Sequence, residues 1–138
     1  MKSILTTLAC ALVGVSCSMG QDYEDISLED LKKAMEEKKV VLLDVNGSKS
    51  YAKGHIPGAI DYRGNEKDIA KLLGEDKNRL VVAYCGGPSC SAYMAAADAV
   101  KKLGFTNVVH FSPGISGWIG AGEETGQVEK KKKAKSKS

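Results

Sequence analysis

Val81-Val82-Ala83-Tyr84-Cys85-Gly86-Gly87-Pro88-Ser89-Cys90-Ser91-Ala92-Tyr93 joins an apolar run to a glycine-rich loop and then to a stretch of small residues. The run reads as a strand, Leu80 to Tyr84, buried on both faces. The small residues open a helix, Ser91 to Leu103, whose end is marked by Gly104. Cys85 therefore stands where a strand gives way to a loop and a helix N-terminus. Unpaired backbone N–H groups and the positive end of the helix dipole meet there, and both favour a thiolate over a thiol. The sequence thus predicts a lowered Cys85 pKa and a nucleophilic sulfur, with Gly86 and Gly87 letting the backbone curl around it.

The flanking sequence repeats the strand–helix alternation. Ser27 is expected to cap a helix over 27–38, in which Leu28, Leu31, Ala34 and Met35 recur at helical spacing. Val40-Val41-Leu42-Leu43-Asp44-Val45 is a second continuous apolar run. Ser48 is placed as the cap of a short helical turn through Tyr51 and Ala52. A turn follows at Gly54-His55-Ile56-Pro57-Gly58, and then a short strand at Ala59-Ile60. Asn65 to Leu73 reads as an amphipathic helix closed by Gly74. Asn107 to Phe111 is the last strand, and Ser112-Pro113-Gly114 leads into a short helix near Trp118. This order predicts an α/β fold with a parallel sheet and helices on both faces. Ligands bind such sheets at the carboxyl ends of strands, where Cys85, Asp44 and Asn46 all fall.

The 138 residues suffice for one domain, assigned to residues 21–125. Ahead of it, Lys2, the apolar run Ile4 to Val15, and the small residues Ser16, Cys17, Ser18 and Gly20 have the layout of a secretory signal peptide, residues 1–20. The run is shorter than the roughly 20 apolar residues of a membrane span. Export to the periplasm or cell envelope is expected, with a lipoprotein anchored at Cys17 as the alternative. The formal net charge is +3. It comes from the tail, residues 126–138, where Lys130 to Lys133, Lys135 and Lys137 crowd together, while the body is mildly acidic. The tail is expected to be disordered, serving as a solubilising end or touching anionic surfaces. Export makes nucleic acid an unexpected partner.

Of four cysteines, Cys10 and Cys17 fall in the leader, so the domain keeps Cys85 and Cys90. Cys90 has three readings: a resolving thiol, a partner in a regulatory or structural disulfide with Cys85, or a filler of space beneath the loop. Two cysteines alone make a weak soft-metal site, and neither metal nor cofactor is expected. Ser89 and Ser91 are candidate hydrogen-bond donors. His55 is expected to fix its turn, His110 to be a satisfied strand histidine, and Asp44 to hold a loop. Tyr84, Tyr93 and Trp118 read as packing.

Three motifs in order resemble the rhodanese-like family of the single-domain sulfurtransferase type, over residues 26–121. They are Leu42-Leu43-Asp44-Val45 with Gly54-His55-Ile56-Pro57-Gly58-Ala59, then Tyr84-Cys85 with its loop, then Lys102-Leu103-Gly104-Phe105-Thr106-Asn107-Val108 with Gly114-Ile115-Ser116-Gly117-Trp118. The resemblance implies a three-layer fold around a five-stranded parallel sheet. It also implies a catalytic Cys85 that carries sulfane sulfur as a persulfide, and a substrate-binding loop of Gly86, Gly87, Pro88, Ser89, Cys90 and Ser91 supported by Asp44, Asn46 and His55. The implied partners are a sulfur donor such as thiosulfate or polysulfide and a thiol or cyanide-like acceptor, including a protein acceptor, with the chain acting as a monomer. The loop length of the family favours sulfur over phosphate or arsenate. Two departures stand out. Cys90 and Asn46 occupy positions where the family commonly has Arg, which removes the guanidinium forks suited to an oxyanion. A non-catalytic binding module and a Cys85/Cys90 dithiol redox protein remain the alternative readings.

Overall fold

A computed structural model describes residues 23–128. The segment expected to be a leader, with Cys10 and Cys17, and the tail lysines lie outside the described residues. The sheet is parallel throughout. Its strands are β1 (Val40–Asp44), β2 (Ile60–Asp61), β3 (Leu80–Tyr84) and β4 (Val108–His110), in the spatial order β2-β1-β3-β4. β1 and β3 pair along their full length, from Val40 opposite Leu80 to Asp44 opposite Tyr84. Both apolar runs are therefore central, which is why neither alternates with polar residues.

Among the described residues the sheet has four strands, not five. What stands in the fifth position is a single parallel bridge, Asp25 to His110, flanked by bonds from Ile26 N to His110 O and from His110 N to Glu24 O, both 2.8 Å. The chain cannot extend this pairing, because Ser27 immediately starts α1 (Leu28–Glu36). Ser27 Oγ accepts from Asp30 N and donates to Asp30 Oδ2, a capping pair in which Asp takes the place of the usual Glu.

Strand alternation divides the core between the two faces of the sheet. Val41, Leu43, Val81, Ala83 and Cys85 pack against α4 (Ile69–Leu73) and α5 (Tyr93–Lys102). On the other face Leu42, Val82 and Tyr84 meet Leu31 of α1, Ile56, Phe111, and Trp118 of α6 (Gly114–Gly120). Each fully buried Leu, Val or Phe contributes roughly 1.5–3 kcal/mol. Helices thus cover both faces, as the continuous apolar strands demand.

Local departures from the expected elements have local causes. The helix expected over 65–73 is two pieces, α3 (Tyr62–Asn65) and α4, following α2 (Ser48–Lys53) in the chain. Asp61 caps α3 early, its carboxyl accepting from Gly64 N. Asn65 Nδ2 then donates to Asp61 O at 2.8 Å, and such side-chain bonds compete with continuation of a helix. The cap of α2 is Gly47 at φ 95°, not Ser48. α5 starts at Tyr93 rather than Ser91, after turns closed by Cys90 N to Gly87 O and Met94 N to Ser91 O. Residues 126–128, grouped with the tail in the sequence, are tied to the domain. Gly126 and His55 exchange backbone bonds of 2.9 and 3.0 Å, and Val128 N reaches Ala52 O. Among the described residues no helix is long and apolar enough to cross a membrane.

Candidate active site

β3 delivers Cys85 to the carboxyl edge of the sheet, where it is 1% exposed. The loop that follows is pinned from the side by the first turn of α6. Ile115 N donates to Cys85 O at 2.9 Å, and Ser116 N donates to Gly86 O at 3.0 Å. Gly114 makes this approach possible. Its φ is +61°, and a Cβ there would stand 2.4 Å from Cys85 O and 2.8 Å from Gly87 N. The loop closes on itself through Cys90 N to Gly87 O, 3.2 Å. Asn46 lies alongside, its Oδ1 facing Gly86. Pro88, Ser89 and Ser91 are exposed on the outer side.

Both sulfurs sit inside the loop. Cys85 Sγ donates to Cys90 O at 3.3 Å, and both thiols are free. The N–H groups of Gly86 and Tyr93 bond Cys85, those of Gly86 and Ala92 bond Cys90, and the two side chains bond each other. The anticipated donors are therefore present, yet the expected lowering of the Cys85 pKa is reversed. Burial, then the bond and charge of Cys90, push it up to about 11 and outweigh the N–H groups. Burial also acts against ionisation of Cys90. There the bond from Cys85 and the N–H groups of Ala92 and Gly86 prevail and hold the thiol below its ordinary value.

Beneath the loop lies a buried polar hub that reading Tyr84 as packing missed. Tyr84 OH donates to Asp44 Oδ2 at 2.7 Å and accepts from Ile56 N at 3.0 Å, while Asp44 Oδ1 accepts from Asn46 N at 2.8 Å. Asp44 and Tyr84 are both fully buried. One hydroxyl thereby ties the end of β3 to the end of β1 and to the Gly54–Ala59 turn. Burial and the Asp44 carboxyl hold the Tyr84 hydroxyl far above its ordinary pKa, so it stays a donor. Tyr84→Phe leaves Asp44 Oδ2 and Ile56 N–H buried without this partner. A loss of about 2–4 kcal/mol in denaturant unfolding is expected. A loss below about 0.5 kcal/mol, the scatter of neutral surface changes, contradicts the hub.

His55 supports the turn as expected. Its Nδ1 lies 2.8 Å from Tyr51 O, its ring stacks on Tyr51, and Gly126 packs against its edge. His110 differs from the expectation of a satisfied strand histidine. Its ring stacks on Tyr93 with centroids 3.4 Å apart, and its buried Nε2 lacks a hydrogen-bond partner. Burial lowers its pKa, against the opposing charge of Asp25. A surface cleft of about 600 Å³ lined by Lys38, Lys39, Arg79 and Asn107 lies at the amino ends of the strands, away from the loop.

Comparison with known proteins agrees with this geometry. Residues 27–121 match the model of the rhodanese-like domain. The chain is 31% identical over 100 residues to a tRNA uridine(34) hydroxylase of Buchnera aphidicola, covering 68% of this chain but only 30% of that protein. It therefore spans less than a third of the first curated relatives it matches. With thiosulfate sulfurtransferase GlpE of Shewanella oneidensis it shares 29% identity over 99 residues, 70% of this chain and 92% of that one. Among solved structures, the BH2092 protein of Bacillus halodurans superposes with a TM-score of 0.66 at 28% identity, covering 76% and 77% of the two chains. Sheet order, loop and motif span lead to one assignment: the chain belongs to the rhodanese-like domain family.

Proposed function

We propose that this chain is a sulfurtransferase or sulfur carrier that moves sulfane sulfur as a persulfide on Cys85. The observation that carries the reading is the placement of Cys85 Sγ, at the carboxyl end of β3 with the N–H groups of Gly86 and Tyr93 bonded to it. In the first step the Cys85 thiolate attacks the outer sulfur of a donor. A new S–S bond forms, the donor S–S bond breaks, and sulfite or a shortened polysulfide leaves with the electron pair. In the second step a thiol or cyanide attacks the outer persulfide sulfur and Cys85 departs as thiolate. The N–H groups stabilise the anionic sulfur in both steps.

Donor choice follows from charge. Cys90 and Asn46 offer no guanidinium to the sulfite end of thiosulfate, so polysulfide is the better donor. A protein thiol is a suitable acceptor. The leader supports export to the periplasm or cell envelope, and the lysine tail supports contact with anionic surfaces there.

The test supplies reduced protein with thiosulfate or polysulfide plus cyanide, and reads thiocyanate together with the mass of samples alkylated within seconds. Turnover of thiocyanate, faster with polysulfide, and a mass gain of one sulfur on the Cys85 peptide support the reading. Folded protein with free thiols that yields neither product overturns it.

A further inference from the structure

We propose that Cys90 is a resolving thiol that attacks Sγ of the Cys85 persulfide, expels the outer sulfur as hydrogen sulfide, and leaves a Cys85–Cys90 disulfide. The inference rests on the persulfide reading above and adds an outcome to it. When no acceptor is present, the site reduces sulfane sulfur to sulfide.

The placement of the two thiols carries the proposal. Cys90 is separated from Cys85 by four residues, and the turn from Cys90 N to Gly87 O folds it back over the loop. Cys85 Sγ already touches the Cys90 backbone at 3.3 Å, the two side chains bond each other, and Gly86 N–H serves both sulfurs. The space-filling reading does not account for this. Cys90 packs partly on the core, yet its sulfur also faces Cys85 and two backbone donors. Exposure differs in the direction that a resolving pair needs. Cys85 is buried, whereas Cys90 is partly open to solvent, so a disulfide is reachable by an external reductant at Cys90.

The step balances. The Cys90 Sγ–Cys85 Sγ bond forms as the bond from Cys85 Sγ to the outer sulfur breaks. The electron pair of the broken bond leaves with the outer sulfur, which also takes up the Cys90 proton and departs as HS⁻. Two thiol-level sulfurs are oxidised to a disulfide while one sulfane sulfur is reduced to sulfide. An external dithiol then reduces the disulfide by exchange and restores both thiols. Ready ionisation of Cys90 suits it to this attack, since the thiolate is the nucleophile.

The experiment adds one equivalent of polysulfide to the reduced full chain without external thiol or cyanide, and follows released sulfide and intact mass. The wild-type protein is expected to end two hydrogens lighter, with roughly one further sulfide released per chain beyond that of a no-resolution control. Cys90→Ala and Cys90→Ser are expected to end one sulfur heavier at Cys85, with that further sulfide cut roughly tenfold or more. Urea midpoints show that the variants remain folded, and the mass gain that cyanide removes shows that they are loaded. A wild-type protein that keeps a stable persulfide overturns the resolving role while leaving the persulfide reading intact. Migration of the sulfur to Cys90 without sulfide release also overturns it. Absence of added sulfur in wild type and both Cys90 variants, with the wild-type thiols still free, removes the persulfide reading itself.

Discussion

Gly114→Ala is expected to destabilise the domain by about 3–5 kcal/mol, the sum of a left-handed backbone penalty and a backbone clash. The φ of +61° accounts for roughly 1–2 kcal/mol. The remainder comes from a methyl placed 2.4 Å from Cys85 O and 2.9 Å from the Gly86 carbonyl carbon. These are backbone atoms of the loop and cannot rotate away. The added group must push α6 off the loop, and with it the bonds from Ile115 N and Ser116 N. Sulfur transfer is therefore expected to fall with stability. Gly58→Ala provides the comparison, because Gly58 has φ +82° with no atom within 4 Å of its Cβ position. It should lose only the backbone part, about 1–2 kcal/mol, and keep activity. Urea midpoints and thiocyanate formation on both variants decide the matter. Equal losses in the two would show that Gly114 does not hold the loop.

The closeness of Gly114 to Cys85 illustrates what sequence reading can reach. Ser112-Pro113-Gly114 is recognisable as a turn, but nothing local says that its glycine abuts a loop almost thirty residues earlier. The central strands are legible because burial on both faces leaves apolar residues along β1 and β3 up to their last positions, Asp44 and Tyr84. Cys85 was legible for the same reason, as the first residue beyond such a strand. The role of Tyr84 is not legible in the sequence because its hydroxyl partners, Asp44 and Ile56, come from two other segments. The missing fifth strand is a matter of length. Residues 24–26 pair with β4 at one bridge before the Ser27 cap turns the chain into α1. The split at residues 66–68 depended on Asn65 reaching back to Asp61, a choice among competing local bonds that helical periodicity does not register.

The sequence points the Cys85 shift the wrong way for a related reason. A strand end before a helix start correctly announces N–H donors. It does not announce how deeply the sulfur will be buried, nor that a second thiol will share the same donors. Those two influences oppose the N–H groups and prevail at Cys85, while at Cys90, which is more exposed, the bond from Cys85 and the N–H groups prevail over burial. A loop that looks like a cradle for one thiolate therefore shares its donors between two sulfurs.

Cys85→Ser follows from that arrangement as the largest functional loss, about a thousandfold or more in thiocyanate formation, because the nucleophile itself is removed. The fold should persist, since a serine hydroxyl in the same place also donates to Cys90 O. Intact mass should then show no sulfur on residue 85. In the wild-type protein the Cys85 pKa near 11 leaves little thiolate at neutrality. The rate of sulfur loading is expected to climb with pH between about pH 7 and pH 10, close to tenfold per unit where ionisation of Cys85 controls it. Burial is the larger cause of that shift, and the bond and negative charge of Cys90 come next. Cys90→Ala abolishes the second and third causes. A neighbouring anion disfavours a second ionisation, so its removal lowers the Cys85 pKa and raises the thiolate fraction at any given pH. The acid limb of the loading profile should accordingly move to lower pH in Cys90→Ala, while remaining above that of an unburied thiol. A profile flat across this range, or one displaced to higher pH by Cys90→Ala, would show that Cys85 is not the group whose ionisation limits sulfur capture. Residual loading in Cys85→Ser would instead place the first attack on Cys90.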